Sequence, residues 1–248
     1  MSTPAPILAA EVPTLPVPTP RLPRRGVFIS FEGGDGAGKS TQMAMLREHL
    51  LTERRVDPDL VLTTREPGGT ALGTEIRRLI LHGEDVDPRA EALLYAADRA
   101  HHVHTLVRPH LARGGLVLGD RYLDSSIAYQ GAGRELDPET IASLSLWATD
   151  GLLPHRTILL DLPAGALQER REDAELDRLE RAGEDFHESV RGQFLRLAEE
   201  DPERFAVIDG SLPADQVHAQ VLEAVAEVLA LFDPTFEPAP PPRHRDEA

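Results

Sequence analysis

Gly33-Gly34-Asp35-Gly36-Ala37-Gly38-Lys39-Ser40 fits the pattern G-x-x-x-x-G-K-[ST], and Lys39 is the only lysine in the chain. Every other basic side chain among the 26 lysines and arginines is an arginine. A chain that writes arginine wherever a positive charge will serve has kept one compact ammonium on a flexible stem. Such a group can follow β- and γ-phosphate oxygens where a planar guanidinium fits poorly. The glycines let backbone N–H groups curl round phosphates, and the Ser40 hydroxyl can ligate Mg²⁺. Val27 to Phe31 read as a buried strand just before the loop, and Gln42 to Leu51 as a helix just after it. Strand, loop, helix is the setting in which this pattern holds a nucleotide rather than making a chance glycine-rich turn.

A length of 248 residues suits one α/β domain with a proper core, or at most two small ones. No apolar run reaches the ~20 residues that span a bilayer, and no secretory signal is expected at the N-terminus. The absence of cysteine excludes disulfides and thiol chemistry and fits a cytoplasmic protein. The net charge of −16 opposes non-specific binding to nucleic acid. Any polyanion must then meet a local cluster of arginines, which suits a small nucleotide better than a duplex.

Residues 1–25 and 233–248 are proline-rich and read as an extended arm and tail. Between them, over 26–232, short apolar strands alternate with helices. Strands are expected at 27–32, 59–64, 115–120, 156–161 and 205–209. Helices are expected at 39–53, 70–82, 88–112, 137–149, 163–172, 184–200 and 214–231. This pattern implies a five-stranded parallel sheet with helices on both faces. Ligands in such sheets bind at the carboxyl ends of the strands.

Arg65 follows the second strand, ahead of Glu66-Pro67-Gly68-Gly69-Thr70, and reads equally well as a site residue or a solvated arginine in a turn. The third strand ends in Asp120-Arg121, placed to hold hydrated Mg²⁺ and to span two phosphates; a helix cap with a surface ion pair is the plainer alternative. Glu91, Tyr95 and Arg99 share one helix face, and Ser126, Tyr129 and Gln130 another. Each face offers groups that can stack on or hydrogen-bond a base, although an aromatic on a helix is more often core. The stretch 168–185 mixes Arg170, Arg171, Arg178 and Arg181 with acidic residues and reads either as a solvated helix or as a lid over the phosphates. His101, His102 and His104 read as hydrogen-bonded or exposed rather than as metal ligands.

Taken together, these segments resemble bacterial thymidylate kinases (dTMP kinases) over about residues 26–232. The matching segments are 31–41, 64–70, 93–99, 119–131 and 176–180, of which 119–131 is far more specific than the phosphate loop. The resemblance implies transfer of the γ-phosphoryl of Mg·ATP to dTMP by a homodimeric, P-loop nucleoside-monophosphate kinase. Gly33, Gly34, Asp35, Gly36, Ala37, Gly38, Lys39, Ser40 and Thr41 would hold the ATP phosphates, with Ser40 and Asp120 on the metal. Asp35 would meet the acceptor 3′-hydroxyl, Arg65 the dTMP phosphate and Arg99 the base edge. Tyr95 would stack on thymine, Ser126 and Gln130 would hydrogen-bond it, and Tyr129 would crowd the 2′ position. Lys39, Asp120 and Arg121 would serve catalysis. Because the loop carries Asp35 and no arginine, the resemblance also implies a catalytic arginine from the lid, Arg170 or Arg171. A deoxynucleoside kinase, or a nucleotide-binding regulator without catalysis, are the other readings of the same residues.

Overall fold

The computed structural model describes residues 26–132, 136–163, 165–166 and 183–232. The strands are β1 Val27–Glu32, β2 Val61–Arg65, β3 Leu116–Asp120, β4 Arg156–Asp161 and β5 Phe205–Asp209. They form one sheet in the order β2-β3-β1-β4-β5, every pairing parallel. All six residues of the central β1 are buried, as a near-continuous apolar run in a doubly covered sheet requires. The edge strands β2 and β5 are half-exposed.

The helices are α1 Lys39–Thr52, α2 Ala71–His82, α3 Pro88–His102, α4 Arg108–Ala112, α5 Leu123–Ser126, α6 Pro138–Ala148, α7 Glu184–Glu200 and α8 Ala214–Leu229. Alternation along β1 assigns the two faces of the sheet. Val27, Ile29 and Phe31 pack on Leu46 and Leu50 of α1 and on Val221 and Val225 of α8. Each such fully buried side chain contributes on the order of 1.5–3 kcal/mol. Phe28 faces the other way, onto Val107, Leu111 and Tyr122. Ser30 and Glu32 share that second face, and Ser30 Oγ lies 2.9 Å from Thr157 Oγ1 on β4. The sheet is therefore dry on one side and carries buried polar groups on the other.

The expected single helix over 88–112 is interrupted. Between α3 and α4 the backbone widens into a π turn at Val103–Val107, and Arg108 N–H reaches back to Val103 O. Pro109 accounts for this: it has no N–H to donate and its ring crowds the carbonyl four residues earlier. A further π turn, Ile127–Ala132, continues α5. Most of the helix expected at 163–172, and the lid apart from 183–185, lie outside the described residues.

Candidate active site

The strand order places β1 beside both β3 and β4, so the chain departs to opposite sides of β1 and leaves a crevice at its carboxyl end. The phosphate loop fills that crevice. Gly33, Gly36 and Gly38 have φ of 124°, 90° and 99°, values that favour glycine. A Cβ at Gly33 would also collide with the Leu160 carbonyl. At the start of α1 no side chain caps the first turn and no acidic residue occupies it, so the amides there are free for an anion. The Lys39 ammonium folds back on Gly33 O at 3.0 Å and Gly34 O at 2.9 Å. Burial holds its pKa below the ordinary value, and nearby Arg121 adds to this, while Asp35 and Asp120 pull it back up.

Asp120 closes the metal side. Ser40 Oγ donates to its Oδ2 at 3.3 Å, whereas its Oδ1 is buried without a hydrogen-bond partner. One carboxylate oxygen left over beside a hydroxyl suits Mg²⁺, which takes one or two protein oxygens and completes its shell with water and nucleotide phosphates. Among the described residues no group of three or more His, Cys, Asp or Glu is placed to hold a metal by itself.

Arg121 joins the two halves of the site. Its Nη2 donates to Asp35 Oδ1 at 2.6 Å and to Tyr129 Oη at 3.2 Å, and its Nη1 donates to Ser125 Oγ at 3.0 Å. The backbone bends sharply to deliver it, with φ of 68° at a non-glycine residue. Beneath it Ser125 donates to Glu32 Oε2 at 2.6 Å, and Tyr122 N–H donates to Glu32 Oε1 at 2.7 Å. Burial, with the Asp124 carboxylate nearby, pushes the Glu32 pKa up to about 8. Asp124 is in turn bridged to Arg204, whose Nη1 and Nη2 lie 2.6 Å and 3.1 Å from its oxygens.

Beyond Arg121 opens a cavity. Asp35, Tyr95, Arg99, Ser126, Tyr129 and Gln130 all line it. Arg99 is 1% exposed and heavily bonded: Nε to Glu66 at 2.7 Å, Nη1 to Ser145 Oγ, and Nη2 to Tyr122 O and Ser126 Oγ. Gln130, also in the cavity wall, donates its Nε2 to Glu91 Oε1 at 3.0 Å.

Arg65 does not line this cavity, contrary to its expected place on the acceptor phosphate. It pairs in register with Asp120, is exposed, and borders a separate hollow with Ser40 and Arg47. Successive strand residues point to opposite faces, so when Glu66 turns inward Arg65 must turn out. The cavity wall instead receives Arg77 from α2, whose Nη1 donates to Pro67 O at 3.1 Å. Glu66, Pro67, Leu81, Tyr122 and Ser125 also line the cavity without having been singled out in the sequence. Thr41 and Gly36, Ala37 and Gly38 border another hollow, on the loop's far side, against Gly210 to Ala214. Arg170 and Arg171 lie outside the described residues.

A profile of the thymidylate kinase family matches residues 31–221. The chain is 57% identical over 207 residues to the thymidylate kinase of Clavibacter sepedonicus, covering 82% of this chain and 96% of that one. It is 46% identical over 205 residues to that of Deinococcus radiodurans, covering 82% and 98%. The crystal structure of thymidylate kinase from Ehrlichia chaffeensis superposes with a TM-score of 0.68 at 31% identity, over 82% of this chain and 99% of the other. With the phosphate loop, the bridging arginine and the second cavity in one frame, the chain belongs to the thymidylate kinase family.

Proposed function

We infer that the protein transfers the γ-phosphoryl group of ATP to the 5′-phosphate of dTMP, giving ADP and dTDP. The observation that carries this reading is Arg121, hydrogen-bonded to Asp35 of the phosphate loop and to Ser125 and Tyr129 of the second cavity. A cation at that junction meets both the leaving and the accepting phosphate. The bond from Pγ to the β–γ bridging oxygen breaks, and one acceptor phosphate oxygen bonds to Pγ. The transferring group is metaphosphate-like, so the protein's task is alignment and charge neutralisation. Lys39 exchanges its two loop carbonyls for phosphate oxygens. Asp120 and Ser40 hold magnesium, which when bound neutralises charge on the donor phosphates. The hollow beside Thr41 is the place for the ATP nucleoside.

Within the acceptor cavity we place the dTMP phosphate on Arg77 and Arg121 and the thymine by Tyr95. A guanidinium has five N–H groups, and four of those on Arg99 are taken, leaving one for a thymine carbonyl. The Gln130 carbonyl suits the thymine N3–H. Tyr129, held by Arg121, crowds the sugar, and Asp35 reaches its 3′-hydroxyl. Arg170 or Arg171 completes the charge around the phosphates from the lid. A monophosphate is largely dianionic at neutral pH and needs no general base. Among the described residues the carboxylates lining the cavity are Asp35 and Glu66, each bound to an arginine, which disfavours a deoxynucleoside kinase, whose hydroxyl acceptor would need such a base. We assign the reaction to a homodimer in the cytoplasm. Leu72 and Leu79 on α2, Leu93 on α3 and Trp147 on α6 are the exposed apolar side chains of three helices that adjoin, and they form its interface. An ADP-release assay with dTMP, dUMP, dCMP and dGMP in parallel tests the assignment. dTMP should be the best acceptor, and a better purine or cytosine acceptor would refute it.

A further inference from the structure

Phosphoryl transfer leaves a buried group behind the acceptor wall without a task. His102 lies three residues beyond Arg99 on α3 and is 2% exposed. Its Nε2 is 2.7 Å from Thr64 Oγ1 on β2, and its Nδ1 is 2.8 Å from Glu66 Oε1. The other Glu66 oxygen receives Arg99 Nε at 2.7 Å. Hydroxyl, imidazole and carboxylate in this order could also make a nucleophile. The space excludes that: Gly69 packs on the hydroxyl so closely that a Cβ there would lie 2.6 Å from Thr64 Oγ1 and 2.7 Å from His102 Nε2. No electrophilic carbon fits between them.

What the chain of bonds does is fix geometry. Glu66 begins the turn that borders the cavity, and the carbonyl of Pro67 carries Arg77. We propose that His102 is a positioning residue for the acceptor nucleotide: anchored on Thr64 at the end of β2, it holds Glu66 so that Arg99 and, through Pro67, Arg77 present their guanidinium groups to the cavity. This rests on the dTMP kinase reading and deepens it. Without the imidazole, Glu66 loses one of its two side-chain partners, which loosens the turn that carries Pro67 and Arg77 and the Glu66 bond that orients Arg99, although Arg99 keeps its bonds to Ser145, Tyr122 and Ser126. The segment meets the metal side through backbone, Glu66 N–H donating to Asp120 O at 2.9 Å, a bond that side-chain substitutions keep.

The test is steady-state kinetics of the full-length wild-type chain and of His102→Ala, His102→Asn and Thr64→Val, varying dTMP and ATP separately. A contact made equally in the ground and transition states appears in KM rather than in kcat. His102→Ala should raise KM for dTMP about tenfold, the scale of one lost buried hydrogen bond to a charged group, with kcat and KM for ATP changed less than about threefold. His102→Asn keeps a donor near the Nδ1 position and should recover most of the loss. Thr64→Val should shift KM for dTMP in the same direction, and it decides the matter if His102→Ala fails to fold. An unchanged KM for dTMP in the folded variants, a parallel rise in KM for ATP, or no recovery with Asn would overturn the proposal while leaving the kinase reading intact. A wild-type chain that turned over no dTMP would overturn both.

Discussion

At the residue scale, the lone lysine is stored against the loop that it serves. Lys39 donates to two loop carbonyls, a pair of bonds that incoming phosphate oxygens can replace. Lys39→Ala should leave a folded chain whose rate of dTDP formation falls on the order of 10³-fold or more, read by product assay beside a thermal melt. Activity near that of the wild type would remove the assigned role. Glu32 offers a test of the buried support below Arg121. Its pKa is pushed up to about 8 from an ordinary 4.5, so the folded state keeps a proton that the unfolded chain releases. The stabilisation from this group is complete below the ordinary value and is lost as pH rises toward the folded one. Glu32→Gln cannot ionise, so its Tm relative to wild type should become more favourable from about pH 5 to about pH 8. A pH-independent difference would show Glu32 ionised throughout. Lys39, Asp120 and Arg121 were legible in the sequence because each sits in an unbroken motif at a strand end. Arg77 was not, because an arginine on a mixed-charge helix looks the same whether or not a distant carbonyl turns it inward. Arg65 misled for the opposite reason: a motif neighbour was read as a site neighbour, although strand alternation sends it to the other side of Glu66.

At the scale of elements, local chemistry sets most boundaries. Asp57-Pro58, Asp87-Pro88 and Asp137-Pro138 each open a helical segment, with the aspartate side chain accepting N–H groups of the first turn and proline at a position that needs no donor. Thr70 Oγ1 caps α2 by accepting from Gly73 N at 3.0 Å. These signals are short-range, so α2, α6 and the start of α3 were readable to within a residue or two, whereas the turn at Pro58–Leu60 was read into the following strand and α5 was not among the expected helices. The π turn at Val103–Val107 was less so, since Pro109 marks a break without saying whether the helix ends or widens. The phosphate loop depends on backbone shape as much as on charge. Gly33→Ala places a methyl against the Leu160 carbonyl at φ 124°, and should cost on the order of 1–3 kcal/mol in urea unfolding and weaken ATP binding. Unaltered stability would mean that the loop has freedom this geometry denies it.

For the whole molecule, charge and surface argue together. A chain of net charge −16 brings Arg77, Arg99 and Arg121 together at the acceptor cavity, so a small anion is favoured there against the overall charge. Trp147 is 77% exposed and Leu93 57%, on helices that adjoin. Trp147→Glu with Leu93→Glu should shift sedimentation from dimer to monomer, and a chain already monomeric before substitution would contradict the assigned interface. The parallel sheet was legible from alternating short apolar strands and helices, and Tyr95, Arg99, Ser126, Tyr129 and Gln130 of the cavity wall from their motifs, whereas Arg77 and Leu81, which α2 adds to that wall, were not. The central claim is that this cavity accepts a nucleotide already bearing one phosphate. Purified protein given Mg·ATP with thymidine and dTMP together, and assayed by chromatography, should convert dTMP to dTDP and leave thymidine untouched. Faster loss of thymidine, or tight binding of ATP and dTMP with no dTDP formed, would contradict it.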